Sequence, residues 1–109
     1  MPTAYKVLGQ SNPAATTATT LYTVPSSTST VVSSIVIANL GAAAATYRIS
    51  VRPAGESQAN KHYIVYDATV AATDSLSLTL GLTLAATDVI TVYASTATMS
   101  FQAFGSEIS

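Results

Sequence analysis

The chain has no cysteine and no tryptophan, a single histidine, and charged residues at only 8% of its 109 positions. Each shortage removes a class of chemistry. Without cysteine there is no disulfide, no thiolate metal ligand and no thiol nucleophile. With His62 as the lone imidazole, a zinc site lacks its usual donors. Four Lys and Arg in total are too few for nucleic-acid binding, which rests on many phosphate contacts. No apolar run reaches the ~18 residues of a membrane helix. The most apolar stretch, residues 31–45, is interrupted by Ser33, Ser34, Asn39 and Gly41. The N-terminus does not read as a signal peptide, because Lys6 is followed only by Val7 and Leu8 before Gly9.

Hydroxyl side chains take the place of the missing charges: 31 of the 109 residues are Ser or Thr. A soluble monomer ordinarily stays dispersed through a mixed, well-charged surface. Hydroxyls keep a strand wettable, yet lose far less hydration than ions when a neighbour covers them. With a net charge of −1, the composition suits a surface that ends against copies of itself or against a partner.

Val, Ile, Thr and Tyr cluster in short runs separated by Pro, Gly, Asn, Asp or Ala-rich breaks, which predicts strands. Eight are read, over residues 4–8, 18–24, 30–39, 45–52, 61–67, 74–80, 88–94 and 98–104. The fold class is all-β: one antiparallel β-sandwich across residues 1–109, with jelly-roll and immunoglobulin-like arrangements both open. Period two is clear where Leu76, Leu78 and Leu80 alternate with Ser75, Ser77 and Thr79. The stretch VVSSIVIAN (residues 31–39) is apolar on both faces and predicts a central strand covered on both sides. The polar, Pro-bearing segment SNPAATTATT marks residues 1–17 as the place for an N-terminal arm. Residues 53–61 form the longest expected loop, with one helical turn. The AATD lead-in occurs twice, at residues 71–74 and 85–88. It reads as a reused turn, in which Asp74 and Asp88 bond nearby backbone N–H groups.

Candidate chemistry is sparse. No serine sits in a Gly-x-Ser-x-Gly elbow. His62, between Lys61 and Tyr63, is expected on the surface or at an interface. Glu56, Asp67, Asp74, Asp88 and Glu107 are scattered, mostly at strand ends. The chain therefore reads as a non-enzyme with no cofactor and no metal. Arg48 and Arg52 are four apart and share a strand face, as a small basic patch for a partner's carboxylates or as a solvated face paired with Asp67 or Glu56. Tyr63 and Tyr66 are expected on opposite faces of one strand, so no aromatic sugar platform is apparent from spacing.

The combination LYTVPSSTSTVVSSIVIAN, ATYRISVRPAG, KHYIVYD and LAATDVITVYAS with SFQAFG resembles small structural proteins of tailed-phage virions, over nearly the whole chain. The resemblance implies a β-sandwich on the head, neck or tail of a virion assembled in the host cytoplasm. It transfers no active-site residue. Its implied task is capsid decoration or cementing, or service as a neck, tail or baseplate subunit. The implied partners are copies of itself, in a small homo-oligomer such as a trimer, and the major capsid or neck and tail proteins. Tyr5, Asn12, Pro13, Arg48, Arg52, Glu56, Lys61 and His62 are the expected partner contacts. The alternative is a receptor- or carbohydrate-binding module of a tail fibre.

Overall fold

The alternation of apolar and hydroxyl side chains resolves into two stacked antiparallel sheets in the computed structural model, which describes residues 3–109. The strands are β1 (Thr3–Ser11), β2 (Thr19–Thr23), β3 (Ser29–Asn39), β4 (Ala45–Arg52), β5 (Tyr63–Val70), β6 (Ser75–Leu84), β7 (Val89–Ala94) and β8 (Met99–Ile108). The first sheet has the order β1-β8-β3-β6 and the second β2-β7-β4-β5. Every connection except β4 to β5 crosses between sheets. The pairs β1–β8, β2–β7, β3–β6 and β4–β5 are thus nested, as in one long antiparallel ribbon wrapped on itself. That is the jelly-roll order. An immunoglobulin arrangement would place further consecutive strands side by side in one sheet.

The inward residues meet in a core of Val32, Ile35 and Ile37 from β3, Tyr47 and Ile49 from β4, Ile90 and Val92 from β7, and Met99, Phe101 and Ala103 from β8. Each fully buried aliphatic side chain contributes about 1.5–3 kcal/mol. The Tyr47 and Phe101 rings meet edge to face with centroids 6.1 Å apart, the arrangement the ring quadrupole favours. Leu76, Leu78 and Leu80 of β6 also point inward but are only partly buried, because β6 is an edge strand.

Two expectations need correction. β3 is a central strand, between β8 and β6, but among the described residues no third layer covers its outer face. There Val31, Val36 and Ala38 remain half-buried. Of the N-terminal arm expected over residues 1–17, residues 1–2 lie outside the described residues; the others form β1, which extends the strand expected over residues 4–8, and then a tight crossover. β1 finds a free edge of β8 to pair with, from Thr3↔Ile108 to Ser11↔Phe101. In the crossover Pro13 is buried, Asn12 Nδ2 donates to the carbonyls of Ala97 (3.0 Å) and Met99 (2.6 Å), and the Thr16 N–H donates to Ala94 O. These bonds satisfy backbone groups that an arm would leave to water.

Register shifts fall on one line across the first sheet. β1 bulges between Val7 and Gly9, and β3 between Val32 and Ser34 against both its neighbours. On β6 the line is met by Gly81, whose φ of +62° suits the left-handed region open to glycine. The sheet bends here, and β1 approaches β2 so closely that a Cβ on Gly9 would overlap the Leu21 carbonyl. The two AATD segments fold alike, as expected of a reused turn. The N–H of Asp74 and of Asp88 donates back to Ala71 O and Ala85 O, and Thr73 and Thr87 take positive φ. Asp74 Oδ1 accepts from the Ser75 N–H, and Asp88 accepts from the Ala85 and Ala54 N–H groups.

Candidate functional site

Two outer faces hold the side chains the core does not use. On the first sheet, bulging brings Tyr5 and Val7 of β1 beside Phe104 of β8 and Val31 of β3. Together with Lys6, Ser33, Gly105 and Ser106 they line a shallow groove of about 480 Å³ along the bend. Tyr5 is 85% and Val7 48% exposed. The one cation here among the described residues is not free: Lys6 Nζ lies 2.7 Å from Glu107 Oε1. Glu107 also accepts the Tyr22 hydroxyl at 2.5 Å, and Tyr22 Oη lies 2.8 Å from Thr30 Oγ1. Bonds from Lys6 and Tyr22 hold the Glu107 carboxyl below its ordinary range. Burial and the neighbouring carboxylate push the Tyr22 phenol up to about 12.

On the second sheet, Arg48 of β4 points outward beside its register partner Tyr93 of β7. On its other side β5 bulges twice. Tyr66 and Asp67 together oppose Arg48, and Ile64 is the extra residue between Tyr63 and Val65. Asp67 adopts φ +55°, and its carboxylate accepts from Arg48 Nε at 2.7 Å. The guanidinium lies 4.2 Å from the Tyr66 ring centre and 4.3 Å from that of Tyr93. Asp67 holds this guanidinium more firmly protonated than usual. The second bulge reverses the expectation for the tyrosines. Tyr63 and Tyr66 share the outer face, with ring centroids 5.0 Å apart at 84°, and with Asn60 they line a hollow of about 320 Å³.

The loop between β4 and β5 lies over this sheet, with two short 3-10 turns (Pro53–Gly55 and Asn60–His62) where one was expected. Ser50 Oγ donates to Gln58 Oε1, Arg52 Nε to Thr91 Oγ1, and an Arg52 terminal nitrogen to Glu56 O. Arg48 and Arg52 therefore share a face, as predicted, but both guanidiniums have intrachain partners. His62 is buried rather than on the surface, 5% exposed. Its Nδ1 accepts the Ala59 N–H at 3.0 Å, so the ring proton sits on Nε2, 3.3 Å from Glu56 Oε1. Lys61 is exposed and 3.9 Å from the same carboxylate. This closes the loop on itself. Both His62 nitrogens have partners, and neither partner is a hydroxyl.

The structure thus separates the expected contact residues. Tyr5 stands on the first sheet, Asn12 and Pro13 fasten a crossover, and Arg48, Arg52, Glu56, Lys61 and His62 organise the second sheet and its loop. Sequence reasoning missed Val7, Val31 and Phe104 as one surface, though the two-faced apolarity of residues 31–39 was a signal for it. It also missed Asn60, Tyr63 and Tyr66 as neighbours. Among the described residues no three His, Asp or Glu side chains converge as a metal site would require. No known family model, curated protein or solved structure matches the chain.

Proposed function

We propose that the protein is a non-enzymatic structural subunit of a tailed-phage particle. It serves as a capsid decoration or cement protein, or as a neck, tail or baseplate subunit, and it docks through the outer face of the first sheet. The observation that carries this reading is the apolar group Tyr5, Val7, Phe104 and Val31 along one groove, on a face that, among the described residues, no third layer covers. Apolar surface gathered in this way is characteristic of interaction sites. The hydroxyl-rich composition and the resemblance of the strand segments to small virion proteins point the same way.

The occupant we assign to this face is a second copy of the chain. Among the described residues its one cation, Lys6, is matched within the chain by Glu107, and net charge is −1, so like faces meet with little repulsion. Covering the group removes apolar area from water at roughly 25 cal/mol per Å². Sedimentation velocity tests this with wild type and a Tyr5→Lys/Val7→Asp variant. Both side chains are exposed, so the variant keeps its fold, which far-UV circular dichroism checks. The expected result is an oligomer for wild type and a monomer for the variant. A wild type that stays monomeric at its highest soluble concentration overturns the assignment of a second copy. Failure to rebind particles stripped of the protein overturns the virion role.

A further inference from the structure

The hollow on the opposite sheet has a different chemistry from the docking face. Tyr63 and Tyr66 stand nearly perpendicular, so their rings form the two walls of a corner, and Asn60 completes its lining. Tyr66 is 58% exposed, yet it is supported from behind. Arg48 stacks on it and is itself held by Asp67 and by Tyr93. A ring fixed in this way has already lost its rotamer freedom, which lowers the cost of binding. The side-chain bonds of the neighbouring loop run through Gln58, His62 and Glu56. Among the described residues they leave the Asn60 amide and the two phenol hydroxyls uncommitted. The corner therefore offers apolar aromatic surface edged by free donors and acceptors. The Arg48 charge at its back is matched by Asp67.

We propose that this corner binds one neutral pyranose ring of a glycan. A pyranose has the complementary form: one face of C–H bonds, slightly positive and attracted to the negative face of an aromatic quadrupole, and a rim of hydroxyls that both donate and accept. An anionic sugar would find the cation behind Tyr66, Arg48, already paired with Asp67. The volume of about 320 Å³ is at the lower end for small-molecule sites, which fits a single ring rather than an extended chain. The site is independent of the docking face, because it lies on the other sheet.

Amide and aromatic NMR titration with neutral gluco- and galacto-configured oligosaccharides tests the proposal. The expected result is saturable shifts confined to Asn60, Tyr63, Tyr66 and their neighbours Arg48 and Tyr93. Tyr66→Ala should weaken binding by at least about tenfold, while Tyr66→Phe, which keeps the stacking face, loses less. Tyr5→Ala, on the first sheet, should change nothing. The amide spectrum of each variant confirms its fold. The proposal is overturned if no saccharide shifts these signals, if Tyr66→Ala binds as wild type does, or if only acidic sugars respond. A response to a proline-rich peptide with neutral sugars silent would also overturn it.

Discussion

Replacing Glu107 with Gln removes one charge from a junction that ties the first and last strands to β2. The Glu107 side chain is 14% exposed, with Lys6 Nζ at 2.7 Å and the Tyr22 hydroxyl at 2.5 Å. Lys6 is half-exposed, so its ion pair contributes about 0.5 kcal/mol. A hydrogen bond to an ionised acceptor is worth about 1 kcal/mol more than one to a neutral amide. Together these predict a loss of about 1.5 kcal/mol at neutral pH, or a Tm lowered by roughly 6 °C for a domain of this size.

The pH dependence gives the sharper test. The folded carboxyl titrates below its unfolded value of 4.5. Its contribution is therefore fully present above that value and is lost as pH falls through the folded pKa. Wild type and Glu107→Gln should differ at pH 7 and converge in acid. At the alkaline end Tyr22 titrates near 12 when folded, against 10.0 unfolded. Its contribution is present below pH 10 and fades as pH rises toward 12. Urea unfolding followed by tyrosine fluorescence at pH 7, 4 and 3 measures the gap. A difference that is negligible at pH 7, or that persists undiminished in acid, refutes the reasoning.

Other substitutions probe the framework. Phe101→Ala empties the centre of the core and should cost about 3–5 kcal/mol, read from the denaturation midpoint at constant slope. A Cβ on Gly105 would overlap the Val31 carbonyl in a neighbouring strand, so Gly105→Ala should destabilise by about 1–3 kcal/mol through forced backbone shifts. Thr73 holds φ +53°, a conformation unfavourable for a β-branched residue; Thr73→Gly should raise stability by roughly 0.5–1 kcal/mol, seen as a higher Tm.

Strand positions were legible from short β-branched and alternating runs between turn residues, and residues 45–52 emerged with the expected bounds. The hidden part lay in pairing. Nothing in the residues near Asn12 says that its amide will reach the carbonyls of Ala97 and Met99, so a polar, Pro-bearing crossover looks like an arm. Bulges were equally invisible. Spacing alone puts Tyr63 and Tyr66 on opposite faces, and one extra residue at Ile64 brings them together. His62 was misplaced for a related reason: its burial depends on a loop folding back over Ser50 and Thr91, not on its sequence neighbours.

The nested register also dictates an order of events. Only β4 and β5 are partners that adjoin along the chain, and each further pair joins residues more distant in sequence, out to Thr3 and Ile108. Assembly should thus begin at the central hairpin and zip outward, on the slow millisecond-to-second scale of topologies dominated by remote contacts. β8 sits between β1 and β3. During synthesis, then, β1 must wait unpartnered until β8 has left the ribosome, and until then the apolar flank of β3 lies open to other nascent chains.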